Sequence, residues 1–250
     1  MASGLQNARD PASIDPTLAL PTLNPELPSI ELCTADEATF WPWYRWPDFA
    51  NWPDKGRTMV VIPLAGFADW GLGTGMDTEE AVLMAVIKGA SLARDPGLQM
   101  LVLPPVRFVL GPKPNCAFPV DPDVACDLLD EVAGSVQAAG FTRILFFNAS
   151  PWNEEVIKAV GRDLRIGRRL QMFTVHLSSL GLDFNPVRGG ERGALKAVVA
   201  ALSGAALAGA AGDGRTILSD TSRRFAAMLK EMRDHPPLPN GGELPTKTWP

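Results

Sequence analysis

The sequence has few of the residues that most often carry metal-dependent or nucleophilic chemistry. It contains two histidines, His176 and His235, and three cysteines among 250 residues. So few imidazoles do not provide a histidine-rich metal site. The cysteines are odd in number and form no CxxC pair. We therefore interpret them as small apolar residues in a reducing compartment rather than as a disulfide framework.

Long apolar runs and an excess of positive charge are also missing. Residues 1–30 have no apolar segment typical of a signal peptide. The alanine-rich run 194–211 is too short and too interrupted by glycine to span a bilayer. The formal net charge is −5 and no basic cluster stands out, which argues against a nucleic-acid partner. We expect a cytoplasmic protein that binds neither nucleic acid nor membrane.

The composition divides the chain into three parts. Hydrophobic residues make up 46% and charged residues 20% of the sequence, which is ordinary for a globular protein. We predict a Pro- and Trp-rich N-terminal arm at 1–57, an α/β domain at 58–235, and a Pro- and Gly-rich C-terminal tail at 236–250. The length is sufficient for one large domain with its own core.

Short apolar runs alternate with helical patterns through the central part. We predict strands at 59–63, 98–106, 143–150 and 169–177, and helices at 78–93, 123–141, 153–166, 189–207 and 219–235. This alternation predicts a mostly parallel central sheet with helices on both faces.

Aromatic residues are concentrated in the arm, in the sequence FWPWYRWPDFANWPD at 40–54. Its three prolines exclude a long helix. The rings can fasten the arm to the surface of the domain, because aromatic side chains bury a large area. They can also form a subunit interface or cover a pocket, since exposed aromatic clusters mark contact sites. The two interpretations are compatible.

A glycine-rich loop follows the first predicted strand and ends at Asp77, where a helix begins. In an open α/β sheet, ligands bind at the carboxyl ends of the strands. We therefore expect residues of this loop to take part in ligand binding or catalysis. It contains no histidine and no cysteine, and it includes the bulky rings of Phe67 and Trp70.

The order of these signals resembles the creatininase family of metal-dependent amidohydrolases. In that family the first strand runs into PxGSxEQHGxHLPLxTD, which PLAGFADWGLGTGMD matches here. Further matches are LPP at 103–105, FPVD at 118–121, AGFTR at 139–143, NASPWN at 148–153 and, weakly, RGGE at 188–191. The resemblance covers about residues 58–230. It implies an α/β protein, a three-layer α/β/α domain with a mostly parallel central sheet.

The resemblance also implies a dinuclear metal centre, but the ligand positions disagree with it. Of five family ligands, only the aspartate is matched, by Asp77. The other four positions carry Ala68, Trp70, Ser150 and Trp152, and the histidine of a later HAGE motif falls on Arg188. Shifting the alignment by one residue places Asp69 at the glutamate position but creates no histidine.

These substitutions remove the chemistry that a metal needs. A divalent cation needs several anionic or imidazole ligands. An indole offers only an N–H donor, and an arginine stays cationic. We therefore predict no metal site and no cofactor.

The same matches place a degenerate ligand pocket at the carboxyl ends of the strands. Its predicted members are Asp69, Trp70, Asp77, Asn148, Ser150, Trp152, Asn153, Arg188 and Glu191. Asp77 either caps the following helix or anchors a ligand. Trp70 and Trp152 either fill the vacated site or stack on a planar ligand. Arg188 and Glu191 form either an ion pair or a carboxylate-binding clamp.

Serine catalysis is not favoured, because the sequence around Ser150 is not a nucleophile elbow. The one plausible base, His176, follows a buried strand and is interpreted as a core histidine.

Three functions remain open. The first is a non-catalytic structural or regulatory subunit, either in a homo-oligomer like the hexamers that the resemblance implies or beside a metal-competent relative. The second is a protein that binds a small cyclic amide or amino-acid derivative in the old pocket. The third is a divergent amidohydrolase acting on a C–N bond of a small cyclic amide, either metal-free or with ligands from Asp69, Glu79 or Glu154.

Overall fold

The computed structural model of the chain describes residues 35–111, 113, 115–188 and 192–236. The first 34 residues of the predicted arm, the tail from residue 237 and the predicted site residue Glu191 lie outside the described residues.

The elements follow the predicted alternation of strands and helices. The strands are β1 (Met59–Ala65), β2 (Phe67–Ala68), β3 (Met100–Val102), β4 (Val106–Arg107), β5 (Val109–Leu110), β6 (Cys116–Ala117), β7 (Pro119–Val120), β8 (Arg143–Asn148) and β9 (Gln171–His176). The helices are α1 (Trp46–Ala50), α2 (Thr78–Ala93), α3 (Pro122–Ala138), α4 (Glu154–Gly167), α5 (Gly193–Ser203) and α6 (Gly214–Asp234).

A parallel sheet in the order β3-β1-β8-β9 forms the centre of the domain, and β4 continues the pairing along β1. The register pairs Leu64 of β1 with Asn148 of β8, and Asn148 with His176 of β9. The last residues of these strands therefore meet at one edge of the sheet, which we call the carboxyl edge. The remaining short strands form two small two-stranded sheets. The predicted mostly parallel sheet is confirmed.

Each face of the sheet has its own hydrophobic core. Met59 and Val61 of β1 belong to the core under α2, α5 and α6. Val60 and Ile62 belong to the core under α3 and α4, because successive side chains of a strand point to opposite faces. The three-layer α/β/α architecture is thereby confirmed. Within the described part of the chain, no helix is long and apolar enough to cross a membrane.

Three predicted elements differ from the structure. The helix predicted at 189–207 ends earlier, at Ser203. The strand predicted at 98–106 is wrong in its extent: β3 ends at Val102 and pairing resumes only at β4, since the intervening prolines 104 and 105 cannot donate a ladder hydrogen bond. The last helix begins at Gly214 rather than at residue 219. Asp213 caps it, and its side chain accepts a hydrogen bond of 3.1 Å from the Thr216 amide.

The described part of the arm is fastened to the domain through its rings. Trp41 stacks on Phe49 with 4.3 Å between ring centroids, and both pack against the α3–α4 core. Just before them, the Thr39 carbonyl accepts a hydrogen bond of 2.8 Å from the amide of Val102 in β3. Trp43 and Trp46 remain exposed. The arm thus shows the fastening that the aromatic cluster predicts, together with two free indoles.

Candidate functional site

The candidate site lies at the carboxyl edge, where the segments after β1, β8 and β9 meet the first turn of α2. Glu79 is at its centre and is fully buried. Its Oε2 accepts a hydrogen bond of 2.6 Å from the Gly66 amide, and its Oε1 accepts one of 2.9 Å from the Trp70 indole. A Cβ atom at position 66 would overlap Val109 Cγ2 and lie 3.2 Å from Glu79 Oε2, so the glycine allows both side chains to approach the backbone this closely.

The charge of Glu79 changes near neutral pH. Burial raises its pKa from 4.5 to about 7, while the Gly66 amide, the Trp70 indole and the nearby Ser150 hydroxyl lower it. Burial is the largest of these effects because a carboxylate loses its hydration there. The Ser150 hydroxyl favours the ionised form of Glu79, but it does not reach hydrogen-bonding geometry with any described residue.

Aromatic rings form one side of the site. Trp70 stacks on Trp152 with 5.8 Å between ring centroids, and its other neighbour is Phe184 at 5.7 Å. The Lys113 ammonium lies 5.4 Å from the Trp152 ring. Two indoles therefore occupy positions where the resemblance places a histidine and an acid.

Asn148 connects the ends of β8 and β9. Its Oδ1 accepts the Ser150 amide at 3.2 Å, which fixes the orientation of the side-chain amide. Its Nδ2 donates to the Ser150 carbonyl at 2.7 Å and lies 3.2 Å from Nδ1 of His176. Nδ1 must then accept, so the proton of the neutral ring is on Nε2. Burial lowers the pKa of His176, which keeps the ring neutral at pH 7.

A second buried carboxylate, Glu154, is bound by an arginine. Both of its oxygens accept from the Arg188 guanidinium at 2.7 Å, and Ser178 donates to Oε1 at 3.0 Å. These bonds are charge-assisted and bidentate. The Arg188 guanidinium is the main reason that the pKa of Glu154 is lowered. Arg188 also pairs with Asp183, at 3.4 Å.

The structure brings together only some of the predicted site residues. Trp70, Asn148, Ser150 and Trp152 converge around Glu79, and Arg188 joins them from the side of Glu154.

The other predicted members have local partners or lie outside the description. Asp69 is exposed and accepts the Gly71 amide at 2.8 Å within its own turn. Asn153 is buried and binds only backbone groups, at Phe108 and Leu110. Asp77 stands immediately before α2, but its side chain makes no capping hydrogen bond. Glu191 is not among the described residues.

Sequence reasoning gave too little weight to three residues of the site. Glu79 and Glu154 entered only as alternative metal ligands, and His176 as a core residue that was also the one plausible base for Ser150. The available signal for Glu79 was its place at the start of a helix whose next positions, 81–87, are all apolar. An acidic residue there is buried, and a buried carboxylate needs donors.

The side chains present do not fit the dinuclear metal centre that the resemblance implies. Across the described residues, no group of three or more His, Cys, Asp or Glu side chains could hold a metal ion. The oxygens of Glu79 already accept from two N–H groups, and those of Glu154 from a guanidinium. Asp69, the third alternative ligand, is held in an exposed turn.

Comparisons with known proteins agree with the fold. The creatinine amidohydrolase (creatininase) family model matches residues 43–215. A creatininase variant complexed with creatine has a TM-score of 0.60 and 13% identity, and the match covers 79% of this chain and 99% of that one. A manganese form of creatininase has a TM-score of 0.60 and 12% identity over 79% and 99% of the two chains.

A third structure, of creatinine amidohydrolase, has a TM-score of 0.59 and 12% identity over 80% of this chain and 99% of that one. No curated protein sequence matches the chain significantly. At identities this low the structural likeness shows the shared fold and nothing about activity.

Proposed function

This chain belongs to the creatininase family, and we propose that it has kept the family's fold without its dinuclear metal centre. In this proposal the protein is a non-catalytic structural or regulatory subunit of an oligomeric assembly in the cytoplasm. Its partner is either further copies of the same chain or a metal-competent relative.

The state of the two buried carboxylates is the observation that carries the proposal. Glu79 is bound by a backbone amide and an indole, and Glu154 by a bidentate guanidinium. A metal ion would have to displace these donors and would stand close to the positive charge of Arg188. Both effects oppose binding, since a cation must recover its lost hydration from anionic or imidazole ligands.

The aromatic rings on one side of the site support the same conclusion. Trp70 and Trp152 stack on each other and present ring faces and N–H groups instead of lone pairs. A water molecule activated by a metal needs both a cation and an open coordination position. The described side chains at this carboxyl edge provide neither the ligands that would hold such a cation nor an open coordination position.

The exposed indoles of the arm support the assembly role. Trp43 and Trp46 are among the large apolar side chains that remain exposed. Tryptophan is enriched at the centres of protein interfaces. An arm that is fastened by some rings and presents others is suited to contact a second chain.

Elemental analysis of the purified full-length chain tests the loss of the metal centre. After dialysis against Zn²⁺ or Mn²⁺ and removal of free ions, we expect substoichiometric metal. The variant Arg188→Ala, which removes the resident cation, is the comparison that shows whether Arg188 alone blocks binding. Retention of about one or more ions per chain by the unmodified protein would overturn the proposal, because such a site needs several ligands.

Native mass spectrometry tests the assembly role separately. We expect an oligomer of this chain, or a complex with a relative after recovery from the source cell. The variant Trp43→Ala is expected to weaken it, whereas Ile166→Ala, at another exposed apolar residue, serves as the matched control. A monomer under all conditions contradicts the assembly role but leaves the metal result standing.

A second candidate function, small-molecule binding, is favoured by unpartnered polar atoms. Within the described residues, Ser150 Oγ, Trp152 Nε1 and His176 Nε2 are buried without a hydrogen-bond partner. Buried donors of this kind point to an occupant that accepts hydrogen bonds. Cyclic amides and amino-acid derivatives fit this chemistry. A thermal-shift screen with these compounds tests it, and Trp152→Phe should abolish any shift; the absence of any shift would remove this candidate.

A further inference from the structure

An apolar groove lies on the side of the molecule opposite α5 and α6, between the arm and α3. Its volume is about 600 Å³. It is lined mainly by Trp41 and Trp46 of the arm, Leu103 and Pro104 after β3, and Val132 and Val136 of α3. Trp46 is 78% exposed. The groove therefore presents tryptophan rings and aliphatic side chains at the surface, which is typical of a docking site.

The chemistry of the lining favours a proline-rich occupant. Grooves lined with aromatic rings bind PxxP segments, because such segments already have the polyproline II conformation and lose little entropy on docking. This chain contains such a segment in its own N-terminal region, PTLNPELP at 21–28, in which Pro25 and Pro28 have the PxxP spacing. We propose that the segment 21–28 of the same chain occupies the groove between the arm and α3.

The position at which the described chain begins is consistent with this occupant. The description starts at Ala35, six residues before Trp41 of the groove. The chain between them runs along β3, where Phe40 pairs with Val102. Segment 21–28 ends seven residues before Ala35, and seven extended residues span roughly 23 Å. That distance is about twice the diameter of a helix, so the segment can cross β3 and reach the groove.

The C-terminal tail also contains the PxxP spacing, at Pro236 and Pro239, but it leaves the domain elsewhere. The carbonyls of His235 and Pro236 accept from the side chain of Gln171, the first residue of β9. In the order β3-β1-β8-β9, this strand is at the opposite end of the sheet from β3. The described chain starts at the β3 end of the sheet, on the α2 side, where Asp36 accepts from Ser91 and Arg94, whereas the tail starts at the β9 end.

Docking within the chain covers one exposed indole of the arm and leaves the other free. Trp46 lines the groove and Trp43 does not. Without an occupant, Trp46 is the more exposed of the two, at 78% against 64%. With the segment in place, Trp46 becomes the less accessible one. The proposal therefore predicts that Trp46 is less accessible than Trp43, which is the reverse of their order without an occupant.

Hydroxyl-radical footprinting of the full-length protein, read by mass spectrometry at low protein concentration, measures this order. We expect Trp46 to be oxidised several-fold more slowly than Trp43. The double variant Pro25→Ala/Pro28→Ala should restore fast oxidation of Trp46 and leave Trp43 unchanged. Circular dichroism checks that this variant keeps its fold.

The matched control is Pro236→Ala/Pro239→Ala in the tail, which should leave both rates unchanged. The proposal is overturned if Trp46 is oxidised at least as fast as Trp43 in the unmodified chain. It is also overturned if the tail substitutions, rather than the N-terminal ones, expose Trp46. Protection of Trp46 that disappears on dilution would assign the groove to a second copy and would equally overturn docking within the chain.

Discussion

At the residue scale, the contribution of Glu79 to the free energy of unfolding depends on pH in a defined direction. Its folded-state pKa of about 7 lies above the ordinary value of 4.5, chiefly because burial disfavours the carboxylate. A raised pKa means that the protonated form is the one the fold prefers. The stabilising contribution of Glu79 is therefore complete below pH 4.5 and is lost as the pH rises to about 7.

The variant Glu79→Gln should remove this dependence, because a glutamine is neutral at every pH. Between pH 4.5 and 7, the free energy of unfolding of the unmodified protein should fall relative to the variant by about 3 kcal/mol, at 1.36 kcal/mol per pKa unit. Urea denaturation at several pH values measures the difference. The exposed Glu155→Gln is the control, and an unchanged difference across this pH range would contradict the assignment.

Arg188 should stabilise the protein through Glu154. In Arg188→Ala the buried carboxylate of Glu154 loses its bidentate partner. Because the arginine itself is half exposed, we expect a loss of about 1–3 kcal/mol, between the values for surface and buried pairs. The lowered pKa of Glu154 gives a contribution that is present above its ordinary pKa and lost as the pH falls below it. The measured destabilisation should therefore shrink in acid.

Arg223→Ala provides the comparison for this prediction. Its ion pair with Asp220 is exposed on both sides, at 67% and 51%, and its removal should change stability by less than about 0.5 kcal/mol. Equal losses of stability in the two variants would show that the Arg188–Glu154 pair stabilises the fold no more than an exposed ion pair does.

At the element scale, the contact between α5 and α6 depends on a glycine. A Cβ atom added to Gly214, the first residue of α6, would overlap the backbone carbonyl of Ala197 in α5. Gly214→Ala must therefore push the two helices apart, at a cost of about 1–3 kcal/mol or more. Thermal unfolding measures it. Gly167→Ala at the end of α4, where an added Cβ meets nothing, should be neutral, and a neutral Gly214→Ala would disprove the close packing.

The elements were predictable where one local signal dominated. The predicted bounds of α2, 78–93, coincide with the structure, because acidic residues mark its start and apolar residues fill its length. Buried strands such as β8 were recognisable from uncharged apolar runs. The boundary between β3 and β4 was missed although Pro104 and Pro105 mark it, because the apolar residues on both sides of them were treated as one run. The start of α6 depended on the cap at Asp213, in a stretch that otherwise reads as a loop.

At the scale of the whole molecule, the arm is part of one of the two cores. Phe49 is 5% exposed and packs against Trp41, Trp52 and Phe141. Phe49→Ala should therefore cost about 3–5 kcal/mol, as for a residue of the domain core. Trp43→Ala, at an exposed ring of the same arm, should have little effect. Denaturant unfolding compares them, and a small loss for Phe49→Ala would mean that the arm is only a surface attachment.

The location of the site could be predicted from the sequence, but the contacts between its side chains could not. Strands that run parallel end at one edge, so Asn148, Ser150 and Trp152 could be assigned to it from their order in the sequence. The partners of Glu79 and Arg188 could not be. Which of several acids a given indole or guanidinium reaches is decided by loop geometry across the molecule, and that geometry has no signature in a single sequence.

The hydrogen bond between Thr39 and Val102 has a consequence for the behaviour of this protein in concentrated solution. An outermost strand with free amides is a template on which another polypeptide can add by β-pairing, and natural proteins cover such strands. Here residues 39 and 40 provide the cover for β3. A chain shortened to begin at Trp41 would keep Phe49 and the rings around it and yet expose the edge of β3, so self-association into insoluble material would follow from the loss of residues 39 and 40.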